Sequence, residues 1–242
     1  MTGFSHDPLI DLLEEQTALV VQTARRLDDA AVRAPSLCPG WSRGHLLTHL
    51  ARNADGLLNV AHSAVTGVPV PMYASAEARN ADVEAGAGRP ARELSDDLER
   101  SAARLADELD QVPDDAVDLQ VPSGRGPTIR VGDVPWVRLR EVVYHHVDLD
   151  AGYGFADAPQ EVVVAGLREC VPRLAGVTTP LEVTAELADA ADPVVLHVGT
   201  GEPRLGVRGP APEVLAWLTG RSAGERLRVE GGAALPTLPS WG

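Results

Sequence analysis

Apolar residues recur at intervals of three and four along four long stretches of the chain, which is the spacing of one face of an α-helix. The stretches cover residues 7–33, 42–66, 91–111 and 136–150. Asp7, followed by Pro8, is expected to cap the first helix, and Ser42 the second. Four long helices in one chain predict a four-helix bundle.

The connections between these helices carry smaller elements. Ser75 is expected to cap a short helix that ends near Glu84. Residues 117–121 alternate between apolar and polar, residues 122–127 are rich in proline and glycine, and residues 128–131 extend again. This order predicts a small hairpin.

The pattern changes after about Tyr153, where short alternating runs separated by Gly, Pro and Asp replace the long helical stretches. The runs predict strands and helices in alternation. The predicted helices are residues 159–172 and 211–218, and the predicted strands are residues 181–187, 194–198, 205–208 and 227–230. The expected fold is therefore α plus α+β, with a bundle domain at residues 1–155 and a smaller α+β domain at residues 156–242.

Composition narrows the classes of function. Of 242 residues, 44% are apolar, which is enough for a packed core. The formal net charge of −14 argues against binding of nucleic acid and against anchoring to anionic membranes. The chain contains no lysine, which excludes Schiff-base chemistry and a P-loop lysine.

The cysteines and the ends of the chain indicate a reduced, intracellular setting. Cys38 and Cys170 lack the spacing of a zinc ribbon or a disulfide framework. No basic, apolar leader and no apolar run of transmembrane length is visible. A cytoplasmic location is the expectation.

Candidate chemistry lies on the fourth long helix, where Glu141 and His145 are four residues apart. Side chains at this spacing lie on one helix face, one turn apart, so both can reach one metal ion. A third ligand must come from another helix, and His49 is a candidate. Two histidines and one carboxylate suit catalytic zinc and also the facial triad of non-haem iron. The alternative interpretation is a hydrogen-bonded core histidine and a solvated Glu–His pair.

Three segments of the chain together resemble the mycothiol-dependent maleylpyruvate isomerase family. They are residues 40–49 (GWSRGHLLTH), 71–80 (PMYASAEARN) and 136–149 (WVRLREVVYHHVDL). The similarity covers nearly the whole chain, and the first domain is also similar to DinB-like metal-binding bundles. Relatives within this family include other mycothiol-dependent transferases, so the motifs are less specific for the substrate.

The resemblance implies roles for individual residues. It implies that His49, Glu141 and His145 are zinc ligands, and that Arg221 reaches the active site from the second domain. An arginine fork suits a dicarboxylate substrate. Four further residues are expected to line the cleft and contact the thiol cofactor: Asn53, Tyr73, Arg79 and Asn80.

Neighbouring polar residues receive weaker interpretations. His45 is expected to lie outside the ligand set, and His146 points about 100° away from His145 around the helix. Asp148 is expected either to orient His145 or to be a plain solvated carboxylate. Cys38 is interpreted as a structural thiol in a turn.

The function implied by the resemblance is isomerisation of maleylpyruvate to fumarylpyruvate, a step of gentisate breakdown, with Zn²⁺ and mycothiol as cofactors. The partners expected are a small dicarboxylate or other electrophile and a low-molecular-weight thiol. The alternatives are a mycothiol S-transferase acting on another electrophile, a non-catalytic module that binds a metal or small molecule, and an iron oxygenase.

Overall fold

The first unit of the structure spans Met1–Ala151, and long helices dominate it. The computed structural model describes residues 4, 8–124, 126–188 and 190–239. Within that part of the chain, the elements of this unit are α1 (Pro8–Arg26), α2 (Asp29–Arg33), α3 (Arg43–Thr66), α4 (Ala76–Ala87), α5 (Ala91–Leu109), β1 (Gln120–Pro122), β2 (Thr128–Arg130) and α6 (Val134–Asp148).

Helix α1 ends earlier than the pattern predicts. The single helix predicted over residues 7–33 is wrong, because the chain leaves the helix after Arg26 and starts a separate helix, α2. The carboxylate of Asp28 accepts a hydrogen bond of 2.8 Å from the backbone N–H of Ala31 and caps α2. A local cap therefore competes successfully with continuation of α1. The predicted cap at Asp7 lies outside the described residues.

Helix α3 begins and ends where the sequence predicts. The Ser42 side chain accepts from the backbone N–H of His45, and the His45 ring accepts from the backbone N–H of Ser42, so the two residues cap the helix reciprocally. Gly67, with φ of 71°, ends the helix in the left-handed conformation that glycine adopts without strain.

Helices α1, α3, α5 and α6 form the predicted bundle. Helix α3 packs along α5, α4 and α6, and α1 packs along α6 and α5. Its interior is filled by leucine, valine and alanine, with Leu46, Leu50, Leu57, Leu94, Leu98 and Leu139 fully buried. Each such leucine contributes about 2–3 kcal/mol through removal of apolar surface from water.

The smaller elements of the first unit are helix α4 and the hairpin. Helix α4 continues to Ala87, three residues beyond the predicted end. It approaches α3 closely at Gly44, where a Cβ atom would lie 2.3 Å from the carbonyl oxygen of Ala87. Strands β1 and β2 pair antiparallel with Val121 opposite Ile129, which confirms the predicted hairpin.

The second unit spans Gly152–Gly242, and its described residues form two α-helices and one sheet. Its elements are α7 (Gln160–Arg173), β3 (Leu181–Glu186), β4 (Val194–Val198), β5 (Leu205–Pro210), α8 (Ala211–Leu218) and β6 (Arg228–Val229). The sheet order is β4-β3-β5-β6, with β3 and β5 parallel and the other two pairs antiparallel.

Burial alternates along β3, whose Leu181, Val183 and Ala185 point into the interior. Helices α7 and α8 pack against each other, α7 also against β4, and α8 also against β5 and β3. The predicted fold class, α plus α+β, is confirmed, while the domain division at residue 155/156 remains a proposal. None of the described helices combines the length and apolar character needed to cross a membrane.

Candidate metal centre

Helices α3 and α6 bring His49, Glu141 and His145 together inside the bundle. One ligand atom from each side chain lies within 4.8 Å of the other two. The Oε2 atom of Glu141 is 2.9 Å from His49 Nε2 and 3.5 Å from His145 Nε2. The two imidazole rings meet edge to face, with centroids 4.7 Å apart. The geometry therefore joins the Glu–His pair of one helix to the histidine of another.

A polar cross-link one helical turn away fixes the register of α3 against α6. Nη1 of Arg138 donates to the carbonyl oxygen of Leu50 and to Oδ1 of Asn53, each at 2.8 Å. Arg138 precedes Glu141 by three residues, and Asn53 follows His49 by four. The two contacts therefore lie on the same faces of their helices as the candidate ligands. This places Asn53 in a structural hydrogen bond within the bundle.

Burial and charge set the protonation of the three groups. Burial lowers the pKa of His49 to about 4, although the hydrogen bond with Glu141 acts in the opposite direction. Burial raises the pKa of Glu141, but hydrogen bonds from His145 and His49 more than offset this and hold it well below its usual range. Burial lowers the pKa of His145, while hydrogen bonds with Asp148, Cys38 and Glu141 raise it well above its usual range.

The donor set fits a divalent cation. Two imidazoles and one carboxylate are the ligands of many catalytic zinc sites, which keep one further position open. Buried charged groups normally need pairing or a metal. The side chain of His49 is 5% exposed, whereas that of Glu141 is 24% exposed, so the site is open to solvent on one side.

Asp148 fixes the orientation of His145. Its Oδ2 atom is 2.9 Å from His145 Nδ1, and the aspartate side chain is 1% exposed. An aspartate that accepts from one ring nitrogen fixes the tautomer and leaves the other nitrogen available to a metal. Of the two interpretations given by the sequence, the structure favours the orienting carboxylate.

Arg79 on α4 contacts a candidate ligand directly. Its Nη2 donates to His49 Nδ1 at 2.8 Å, its Nη1 donates to Asn80 Oδ1 at 3.0 Å, and its guanidinium lies 5.4 Å from the ring of Trp41. A guanidinium can only donate, so Nδ1 of His49 accepts and its Nε2–H donates to Glu141. A cation bound at Nε2 would replace that proton, and it would be repelled by the positive charge of Arg79.

Trp41 and Cys38 are neighbours of the site that the sequence reasoning did not assign to it. The Trp41 ring is tilted against His49 with centroids 5.5 Å apart. Cys38, half-buried, forms a second possible donor group with His145 and Asp148, whose ligand atoms lie within 4.8 Å of one another. The backbone N–H of Leu37 donates to the carbonyl oxygen of Asp148 at 2.9 Å and ties this loop to the end of α6.

The remaining predicted residues lie in different surroundings. His45 belongs to the cap of α3, and its Nε2 is 3.5 Å from Glu84. His146 is buried and its Nε2 is 2.8 Å from the hydroxyl of Thr23, which agrees with its exclusion from the ligand set. Tyr73 is half-buried and packs against the apolar cluster that includes Leu57 and Met72.

Arg221 belongs to the second unit, immediately after α8. Its Nη1 donates to the carbonyl oxygen of Thr219 at 3.3 Å, and its backbone N–H donates to the carbonyl oxygen of Ala216. Its side chain is half-buried. The roles expected for Arg221 and for the cleft residues stay predictions.

Comparison with known proteins places this geometry in a family. Residues 13–150 match the family described as mycothiol maleylpyruvate isomerase N-terminal domain. Two solved structures, the mycothiol-dependent maleylpyruvate isomerase and a variant of it with one histidine replaced by alanine, each share 29% identity with the chain, cover all of both chains and superpose with a TM-score of 0.85. The comparison with curated proteins finds no match. Because the family match spans more than half of the chain and includes both candidate ligand helices, the chain belongs to the mycothiol maleylpyruvate isomerase N-terminal domain family.

Proposed function

We propose that the protein is a zinc- and mycothiol-dependent cis–trans isomerase that converts maleylpyruvate to fumarylpyruvate. The observation that carries the proposal is the convergence of His49, Glu141 and His145 within 4.8 Å. It occurs in a chain that matches a mycothiol-dependent maleylpyruvate isomerase over its full length. A bundle interior tolerates three such groups most readily around a cation.

His49, Glu141 and His145 would hold the zinc ion. When bound, zinc supplies a Lewis-acidic position at which a thiol stays ionised at neutral pH. Asp148 holds His145 in the tautomer that exposes Nε2. The contact of Arg138 with Asn53 keeps α3 and α6 in register, so that the donors from two helices stay together.

The reaction needs a reversible nucleophile, because a carbon–carbon double bond must lose its double-bond character before it can rotate. Addition and loss of a thiolate meets this need without a net redox change. Within the chain, Cys170 is unsuited to the role because burial raises the pKa of its thiol to about 12. Cys38 lies beside His145 and Asp148, as part of a second possible donor group. The proposal uses an external thiol as the nucleophile, because the printed name of the structural relative states mycothiol dependence.

Two arginines are proposed to meet the substrate and the thiol. Arg79 carries a guanidinium next to His49 and Trp41. Arg221 is proposed to bind a substrate carboxylate, because the guanidinium fork matches a carboxylate in two hydrogen bonds. Positive charge near the reacting alkene would stabilise the enolate that forms on addition.

The test is turnover of maleylpyruvate by zinc-loaded protein with and without mycothiol, followed by the appearance of the trans product. The proposal predicts product only when zinc and mycothiol are both present. A stable thiol adduct in place of the isomer would identify an S-transferase instead. Maleylpyruvate left unchanged by the fully loaded protein would contradict the proposal.

A further inference from the structure

A groove runs between α1 and α5 on a face of the bundle formed by other residues than the candidate ligands. Its volume is about 320 Å³. Its walls include the buried side chains of Leu13, Val21, Leu105 and Leu109, and Ala106 lines it as a small residue. Such a wall suits an apolar body a few carbon atoms long.

Arg138 of α6 lines the same groove and is incompletely paired. Its side chain is 1% exposed, and its Nη1 is occupied by Leu50 and Asn53. Its Nε and Nη2 are buried and have no hydrogen-bond partner among the described residues. Buried arginine N–H groups normally have acceptors, so this pair points to an acceptor that the protein itself does not supply.

The unpaired atoms define the chemistry of that acceptor. Nε–H and Nη2–H lie on one edge of the guanidinium plane, and that edge matches the two oxygens of a carboxylate. Burial lowers the pKa of Arg138 to about 10, which still leaves it charged at neutral pH. The groove therefore combines an apolar wall with one cationic group, whose buried Nε and Nη2 must shift toward the groove to make a bidentate contact there.

Charges at the rim limit the occupant to a single anionic group. Glu14, Glu99 and Asp110 line the groove and are exposed. Glu99 is paired with Arg25, so a second carboxylate at the far end of a ligand would be repelled mainly by Glu14 and Asp110, whereas a neutral chain end would not. Their effect on an approaching anion is screened by salt, because all three face solvent.

We infer that this groove binds an amphiphilic monocarboxylate, with its carboxylate on the Nε/Nη2 edge of Arg138 and its apolar chain between α1 and α5. The groove contains none of the candidate metal ligands, although Arg138 also ties α6 to α3 beside them. Its preference differs from that of the proposed isomerase site, whose substrate is a dicarboxylate.

The test uses octanoate as the probe, titrated into the zinc-loaded full chain and followed by backbone NMR shifts. Saturable shifts are expected at the amides of Ala18, Ala102 and Ala106. Octan-1-ol, which has the same chain without the charge, is expected to bind at least about tenfold more weakly, since it cannot make the two charge-assisted hydrogen bonds of a carboxylate. Octanedioate is expected to bind more weakly than octanoate. Equal binding of acid and alcohol would overturn the inference.

Variants separate the groove from the metal centre, where a carboxylate can also bind. Ala106→Phe fills the groove without changing Arg138 and should abolish octanoate binding, while Ala81→Phe, at an exposed position on α4, should leave it intact. Arg138→Met should remove the preference for acid over alcohol. Ala106→Phe decides the matter if Arg138→Met does not fold. Octanoate binding that persists in Ala106→Phe, or absence of any saturable shift in the unmodified chain, means that the groove holds only water and contradicts the inference.

Discussion

The interiors of the two units differ in what they bury. Between α3 and α6, the bundle buries the polar side chains of His49, Asn53, Arg138 and Asp148. In the second unit, Thr219 is the only polar side chain that is buried among the described residues, and its hydroxyl donates to the carbonyl oxygen of Leu215. Buried polar groups reduce stability unless they are paired. The bundle therefore holds a paired set of buried polar groups that includes a candidate metal ligand, whereas the described interior of the second unit is almost entirely apolar.

The two cysteines show the same contrast on a smaller scale. Cys38 is half-buried in a loop beside His145 and Asp148. Cys170 is fully buried on α7, and burial raises the pKa of its thiol to about 12. Residue type alone therefore does not identify a chemically active thiol, because surroundings decide its reactivity.

Removal of the His49 side chain is expected to give the largest change in zinc affinity. His49→Ala deletes one of three donors, so zinc affinity should fall by more than about 100-fold, the upper end for loss of a supporting residue. Turnover should fall with zinc occupancy. Equilibrium competition with a chelator measures the affinity. His62→Ala, on the same helix at an exposed position, is the matched control and should keep normal zinc binding.

Asp148→Asn tests whether the buried carboxylate supports the metal centre. It keeps the size of the side chain but removes the charge that accepts from His145 Nδ1. Zinc affinity is expected to fall by about tenfold. The control is Asp150→Asn, since Asp150 is exposed and its φ of 49° is one that asparagine tolerates. Equal affinity of the Asp148 variant and the unmodified protein would show that Asp148 is only a packing residue.

Arg79→Gln is expected to raise the affinity for zinc, whereas the two preceding substitutions lower it. It removes a positive charge beside His49 and replaces a group that only donates with one that can accept from Nδ1–H. Zinc should bind up to about fivefold more tightly, while turnover falls if Arg79 meets the thiol or the substrate. Arg92→Gln removes a charge from an exposed position on α5 and serves as control. Weaker zinc binding in Arg79→Gln would mean that Arg79 supports His49.

Alkylation of Cys170 in the folded protein should be the smallest of the expected effects. A thiol with a pKa of about 12 is protonated below that pH, so at pH 8 only about one molecule in 10⁴ carries the thiolate. Iodoacetamide should label Cys38 and leave Cys170 unmodified until the protein unfolds. Peptide mass spectrometry at native and denaturing conditions measures this. Labelling of Cys170 in the folded protein at the rate of Cys38 would contradict the contrast between the interiors.

Local patterns in the sequence predict the helices and the hairpin well, because caps and periodicity act over a few residues. The end of α3 is an example, since Gly67 marks it in the sequence. The division between α1 and α2 is a counterexample. There the helical pattern continues through residue 33, but the cap formed by Asp28 interrupts it, and a cap of this kind is easily overlooked within a longer periodic stretch.

Local patterns predict only part of the candidate site. The spacing of Glu141 and His145 follows from helix geometry. Their meeting with His49 depends on the register of α3 against α6, which Arg138 and Asn53 fix through contacts between residues 85 positions apart. Family resemblance supplied that link in advance. Trp41 and Cys38 reach the site because Leu37 bonds to the end of α6, and no local pattern encodes that contact.

Zinc K-edge X-ray absorption of the loaded protein, with and without added mycothiol, tests the central claim most directly. The account predicts a first shell of nitrogen and oxygen with two imidazoles, and one sulfur at about 2.3 Å only after the thiol is added. The same result is expected for Cys38→Ala. A sulfur ligand that is present before thiol addition and disappears in Cys38→Ala would place the metal on Cys38, His145 and Asp148 instead, and would contradict the account.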